Sequence, residues 1–330
     1  AGLARTKPQP PRSPGLIDLG VVVDTDIFPK HIGIMQSSGW LRMPINRLLL
    51  QSLVIGKTGS GKTELLKRII YETLQNSEWD VVVVDAKGDK NFAREAVAMA
   101  GQAPILKMGW GGEGSAVFSG FEGDAHAVYN RLVMMFQLEP FRTDADYFRS
   151  RKRMIIQLVC GLNTQIRYPI DLFDPPRSFQ ELEARVSYDW LSDTYRGTDA
   201  MPMIESWKKD DLPTFRAEIV SASTPFLNLI HPNGFKFGDH RLSFFSIDTG
   251  SVPFDAGYFF RFLAGCISHY LSTPVHKKTL FVFDEPALLG VENLISLINP
   301  GRSKGGAIIL ATQNLATLGP QWHIVDQIFD

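Results

Sequence analysis

The chain has 330 residues, 34 lysines and arginines against 35 aspartates and glutamates, and a formal net charge of −1. It is long enough for one large or two modest domains, and it has no whole-chain field that would bind polyanions indiscriminately. Hydrophobic residues make up 44% and charged residues 21%, which excludes a disordered chain and predicts a packed core. The two cysteines, Cys160 and Cys266, lie far apart in apolar stretches; they fit neither a disulfide framework nor a zinc site and read as core thiols in a reducing compartment.

In chain order, residues 1–15 read as a flexible tether, because the stretch from Thr6 to Pro14 is rich in proline and basic residues. The chain opens with Ala1 and not Met, the mark of a processed start or of a piece of something longer, which leaves an upstream anchor open. No run of eighteen apolar residues occurs, so the chain as given is not expected to span a bilayer. Leu19 to Val23 and Trp40 to Pro44 read as short strands. Ser52 to Ile55 is a compact apolar run that stops at Gly56, and Leu65, Leu66, Ile69, Ile70 and Leu74 then fall at helical spacing. That is strand, glycine loop, helix. Val81 to Val84 ends at Asp85, a helix follows over Asn91 to Met99, and Ala103 to Met108 is a further strand, the alternation of a parallel α/β sheet.

From Asp124 to Ile230 the pattern turns helical, with candidate helices over Ala125 to Phe136, Phe148 to Leu162, Phe179 to Tyr195 and Thr214 to Leu229. Leu242 to Ile247 restores a strand, Tyr258 to Leu271 carries a helical stripe, and Leu280 to Phe283 and Ala307 to Ala311 are two more buried-type strands. The expected organisation is therefore a discontinuous α/β domain, residues 16–123 and 231–330, interrupted by an all-α insert, residues 124–230. No internal repeat is visible.

Gly56-Lys57-Thr58-Gly59-Ser60-Gly61-Lys62-Thr63 fits G-x-x-x-x-G-K-[ST] between that strand and helix. Gly56, Thr58, Gly59, Ser60 and Gly61 are candidates for the phosphate cradle, where missing Cβ atoms let backbone N–H groups converge beside a helix N-terminus. Lys62 would reach the β and γ phosphates of ATP, and the Thr63 hydroxyl would ligate Mg²⁺. Asp284 and Glu285 end an apolar strand; coupled to the glycine loop they read as the magnesium carboxylate and the carboxylate that polarises attacking water. Because side chains alternate along a strand, the two are expected to face different ways, Asp284 to the metal and Glu285 to the γ-phosphate.

Gln313, after the strand Ala307 to Ala311, is a candidate γ-phosphate sensor, with a loop-capping amide as the other reading. Arg302, in the loop Asn299 to Gly306, could cross a subunit boundary and neutralise transition-state charge; a solvated loop arginine and a rival in Lys304 stay open. In Asp85-Ala86-Lys87-Gly88-Asp89 the aspartate could touch the outer shell of the metal and the lysine could face DNA or nucleotide, and a glycine turn explains the residues as well. Arg149, Arg151, Lys152 and Arg153, beside Tyr147 and Phe148, could grip phosphates while an aromatic stacks on a base, or could be a solvated helix end. The histidines lack metal-site spacing, and Gly59-Ser60-Gly61 is out of register for an esterase elbow, so neither a protein-only metal site nor acyl transfer is supported.

Four passages in this order resemble the coupling proteins of conjugative type IV secretion systems, in the FtsK-like and HerA-like branch of RecA-fold ATPases. They are Gly56 to Thr63, Val81 to Asp89, Phe281 to Gly290 and Gly301 to Leu318. The resemblance implies a RecA-like P-loop domain with an all-α insert, and a DNA-stimulated ATPase that uses ATP and Mg²⁺ to pump single-stranded DNA with its relaxase toward the secretion channel. By it Lys62 and Thr63 bind nucleotide and metal, Asp284 and Glu285 are the metal and water carboxylates, Gln313 the sensor and Arg302 the trans-acting finger. It also implies a homo-hexamer at the cytoplasmic face of the bacterial inner membrane, with relaxosome proteins, channel components and DNA, single-stranded or duplex, as partners. A secretion ATPase that delivers protein substrates and a nucleotide-gated assembly scaffold are the alternatives. Pro286 after the acidic pair, and Phe118-Ser119-Gly120-Phe121 in place of an Asn-Pro-Phe element, depart from the family pattern.

Overall fold

The computed structural model describes residues 15–21, 35–37, 40–109, 114–139, 146–162, 173–274, 276–289, 301 and 303–313. Three short strands, β1 (Leu16–Val21), β2 (Met35–Ser37) and β3 (Trp40–Pro44), form an antiparallel sheet in the order β1-β3-β2. The main sheet is built of β4 (Ser52–Ile55), β5 (Asp80–Asp85), β6 (Ile105–Met108), β7 (Leu242–Ile247), β8 (Thr279–Asp284) and β9 (Gly306–Thr312). Its order is β4-β9-β8-β5-β7-β6, with every neighbouring pair parallel. The helices are α1 (Lys62–Asn76), α2 (Lys90–Ala100), α3 (Ala125–Met135), α4 (Asp146–Val159), α5 (Phe179–Arg185), α6 (Tyr188–Thr194), α7 (Met201–Trp207), α8 (Asp211–Ser223) and α9 (Asp255–Ser272).

Helices cover both faces of the sheet, which is why β5, β7, β8 and β9 are buried along their whole length and read as apolar runs without alternation. The pleat sends Val81, Val83, Leu280, Val282 and Ile309 into one cluster with Leu66, Ile69 and Ile70 of α1 and Phe92 of α2. Val82, Val84, Phe281, Phe283, Ile308 and Leu310 join the other cluster, with Phe259, Phe260, Leu263 and Ile267 of α9. Each such side chain contributes about 1.5–3 kcal/mol on burial, and the sheet is held rigidly between the two layers. β1 lies along α1, where Arg68 Nε donates to Asp18 O at 2.8 Å.

Between β6 and β7 the described elements are helices. The interval starts and ends side by side: Phe118 N–H donates to Leu229 O and Phe235 N–H to Val117 O, each at 2.8 Å, and His231 N–H donates to Phe118 O at 3.0 Å. Gly234 is needed there, since a Cβ would lie 2.5 Å from the Phe118 carbonyl carbon. A long excursion can thus leave the sheet and return without spreading the strands. The first helix, α3, packs on α9; Gly265 lets it approach, because a Cβ would lie 2.8 Å from Arg131 Cγ.

Several element boundaries differ from the sequence expectation. The stretch Phe179 to Tyr195 is two helices, since Ser187 Oγ accepts from Trp190 N–H at 3.3 Å and so caps a fresh one. The stretch from Thr214 begins earlier, at Asp211, and passes into a 3₁₀ turn, Thr224–Leu229, where Pro225 removes a helical donor. Helix α7 has no counterpart in the sequence reading; Pro202 sits in its first turn, where proline is tolerated. The first strand runs over Leu16–Val21, with residues 22 and 23 outside the described ones. Both cysteines are buried and free, and burial pushes the Cys160 thiol up to about 12 and Cys266 up to about 11. No described helix is long and apolar enough to cross a membrane.

Candidate active site

The glycine loop joins the end of β4 to α1. Gly56 N–H donates to Thr312 O at 3.2 Å, prolonging the β4–β9 ladder, and a Cβ on Gly56 would lie 2.3 Å from Ser60 Oγ. A side chain there would make the Ser60 hydroxyl turn away where the loop folds back. Gly59 and Gly61 have φ of 78° and 89°, left-handed conformations that glycine adopts without strain. Gly61 caps α1 and itself has no side chain to bond the first-turn N–H groups, which leaves those donors and the positive end of the helix at the loop. Residues 57–61 form an exposed crest, whereas Lys62 is buried beneath it. Its ammonium donates to the carbonyls of Gly56 and, at 3.2 Å, Lys57.

The acidic pair lies across β9 from this loop. Thr63 Oγ1 donates to Asp284 Oδ2 at 3.3 Å, which joins residues 221 positions apart. Strand β9 sits between β4 and β8, so its end, Thr312 and Gln313, falls between loop and carboxylates. Asp284 closes β8, and Glu285 leaves it in a left-handed conformation, φ 56°, its N–H donating to Ala311 O at 2.8 Å. A non-glycine residue there is strained by roughly 1–3 kcal/mol and is held only by its surroundings. Glu285 Oε1 lies 3.4 Å from both Thr312 Oγ1 and Gln313 N. Its other oxygen, Oε2, is buried and has no hydrogen bond among the described residues.

The two carboxylates do not diverge as strand alternation predicts. The turn at Glu285 brings both to one cation: Lys87 Nζ is 3.1 Å from Asp284 Oδ1 and 3.5 Å from Glu285 Oε2. Burial works to lower the Lys87 pKa, but the charges of Asp284 and Glu285 outweigh it and hold the ammonium above its usual value. Asp85 is not aimed at the pair. Its carboxylate accepts from Lys87 N at 3.0 Å and Asp89 N at 2.6 Å, shaping its own loop, and burial raises its pKa to about 6. The sequence reading named Lys87 only as a side chain for DNA or nucleotide; its partners lie 197 and 198 positions away, and no local pattern announces that pairing.

Gln313 is exposed at the end of β9, with its backbone N–H toward Glu285. Lys304 is exposed in a turn where its N–H donates to Gly301 O at 3.1 Å. Arg302 lies outside the described residues. The basic cluster on α4 is largely matched with acids: Arg151 pairs with Asp211 at 2.5 Å and covers the Tyr147 ring, Lys152 pairs with Glu218, and Arg149 lies 3.9 Å from Asp146. Tyr147 and Phe148 remain exposed, at 57% and 62%.

The donor set suits a hard divalent cation. A hydroxyl and a carboxylate oxygen face each other near a second carboxylate, whose Oε2 is held by the Lys87 ion pair and by no described hydrogen bond; all are hard oxygen donors. Among the described residues no group of three or more His, Cys, Asp or Glu could hold a metal alone; Mg²⁺, which takes one or two carboxylates and completes its shell with phosphates and water, does not require one.

The parallel sheet with a glycine loop at the carboxyl end of an edge strand, and helices on both faces, is an α/β fold of the RecA-like kind. Neither a protein-family model nor a curated relative matches the sequence. Solved structures do match. The bacterial conjugative coupling protein TrwBdeltaN70 in its unbound monoclinic form superposes with a TM-score of 0.61 at 18% identity, over 91% of this chain and 72% of that one. The plasmid coupling protein TrwB in complex with ADP and Mg²⁺ gives 0.61 at 18%, over 91% and 74%. VirB4 of Thermoanaerobacter pseudethanolicus gives 0.59 at 14%, over 96% and 82%. The chain therefore shares the fold of these proteins.

Proposed function

We propose that this chain is an ATP-hydrolysing motor of a type IV secretion system that couples DNA, as a relaxosome, to the secretion channel and moves single-stranded DNA during conjugation. The observation that carries the reading is the contact of Thr63 with Asp284, which joins the glycine loop holding Lys62 to the strand end that carries Glu285, on a fold shared with a coupling protein solved with ADP and Mg²⁺. The loop from Gly56 through Thr58, Gly59, Ser60 and Gly61 would cradle phosphates, Lys62 would lie against the β and γ phosphates, and Thr63 with Asp284 would hold Mg²⁺, which supplies charge neutralisation as the terminal phosphate leaves. Glu285 would orient and polarise water, and Gln313, bonded to it through its backbone, would sense the γ-phosphate. A ring of copies, taken as a hexamer, would bring Arg302 or Lys304 to a neighbour's site. Residues 1–15 serve as tether, 16–123 and 231–330 as the nucleotide-binding domain and 124–230 as the all-α domain, with the inner-membrane face as the site of action.

The test is ATP turnover of the full chain with and without single-stranded DNA. Turnover that DNA stimulates, and that Lys62→Ala removes, supports the reading; turnover indifferent to DNA sinks the DNA half of it. A second reading, delivery of protein substrates, draws on the matched charges of α4, which leave few cations for phosphates. Stimulation by DNA that vanishes on reversing Arg149, Arg151 and Arg153 decides against it.

A further inference from the structure

We propose that Lys87 is the resident counter-ion of the acidic pair and competes with magnesium for it, so that this lysine sets the metal concentration at which nucleotide is held. The inference rests on the nucleotide-site reading above and adds to it a positioning residue outside the glycine loop and the acidic pair.

The two carboxylates and the cation are unequal in freedom. The side chains of Asp284 and Glu285 are 1% and 5% exposed, that of Lys87 34%. Adjacent buried carboxylates repel each other, and each needs an opposite charge that water cannot replace. Asp284 is fixed by the strand and Glu285 by a left-handed turn, so neither can withdraw. Lys87 can: it is a point charge on a flexible four-carbon stem with a path to solvent. Its starting position is nonetheless built. Asp85 accepts the N–H groups of Lys87 and Asp89, Thr249 Oγ1 donates to Ala86 O at 2.8 Å, and Gly88, φ 66°, packs where a Cβ would lie 2.8 Å from Asp248 Cβ. A loop braced from three sides aims a movable cation at two immovable anions.

The oxygens that Lys87 meets belong to the carboxylates assigned to magnesium and water. Asp284 Oδ2 is turned to the Thr63 hydroxyl and Oδ1 to Lys87. A dication drawn to Asp284 meets the ammonium as a like charge a few ångströms away, so the two cations exclude each other. Arrival of the metal sends Lys87 outward, and its departure returns the ammonium, which keeps the pair neutralised throughout.

The experiment is the affinity of the full chain for a fluorescent ADP analogue as a function of magnesium concentration. Lys87→Met keeps the length and removes the charge; it should lower the magnesium midpoint on the order of tenfold, the scale of a coupling between competing cations, while Lys87→Arg stays near wild type. A midpoint that is unmoved or raised in Lys87→Met overturns the assignment. A second measurement uses only the wild-type chain: amine labelling of Lys87, read by mass spectrometry with ADP present, should increase when magnesium is added, and a decrease or no change overturns it too. If the wild-type chain holds no ADP analogue at any magnesium concentration, the nucleotide-site reading falls and takes this one with it; binding with an unmoved midpoint removes Lys87 alone.

Discussion

Charge is handled in opposite ways at the carboxyl edge of the sheet and along α4. At the sheet edge Asp284 and Glu285 are almost fully buried, come from one strand end, and share Lys87, brought by another loop. Along α4 the side chains of Arg149, Arg151 and Lys152 are 33%, 29% and 26% exposed, and each lies against an acid of its own. Exposed pairs contribute about 0–1 kcal/mol, whereas removing one partner of a buried pair costs about 3–5 kcal/mol. A local excess of basic residues in the sequence is thus a weak signal for a site, and a costly burial of charge is a strong one.

The sharpest way to break this contrast is at the glycine loop. Lys62→Ala should lower ATP turnover by on the order of a hundredfold or more, the scale of losing one positioned donor to transition-state charge. Glu285→Gln should cut turnover comparably while an ATP analogue still binds; retained turnover in steady-state assays would remove Glu285 from the water-polarising role. Next in size is stability. Asp284→Ala strips the cation of its nearer partner, and thermal unfolding should report a loss of about 1–3 kcal/mol, reduced from the buried-pair scale because Lys87 can reach water. Combining it with Lys87→Met should cost less than the sum of the two single losses, and a strictly additive double mutant would mean that the two do not interact.

A third prediction concerns Asp85, whose pKa burial raises to about 6. The fold then holds its proton more tightly than the unfolded chain does, so the stability this proton provides is present below about pH 4 and is lost as the pH rises toward 6. In metal-free buffer, denaturant unfolding of Asp85→Asn should show a smaller fall across that window than wild type; equal slopes would refute it. The smallest effect is expected at α4: Arg151→Ala should change stability by less than about 1 kcal/mol in the same measurement.

Much of the site was legible because its parts are local. The spacing of Gly56, Gly61, Lys62 and Thr63 and the strand before them mark a glycine loop that opens a helix, and an apolar strand that stops at Asp284-Glu285 marks the strand end that Thr63 touches. The left-handed turn at Glu285 could not be read, because nothing in a Phe-Asp-Glu-Pro stretch demands a positive φ in a non-glycine residue. Helix α7 and the break at Ser187 were missed for a related reason. Short helices carry too few turns for periodicity to show, and a capping serine looks the same as any other until its N–H partner is known.

By itself, then, the order of residues determined that buried strands alternate with helices, that a helical stretch interrupts them, and which strand-to-helix turn is a glycine loop. Those are consequences of hydrophobic period and of the backbone freedom of glycine, both properties of near neighbours along the chain. Only the tertiary structure decided that β9 stands between β4 and β8, that Phe118 and Ile230 close the interruption side by side, and that Lys87 joins Asp284 and Glu285. Strand order and the meeting of charges depend on which distant segments cover each other's apolar faces, and that competition is settled by packing across the whole core.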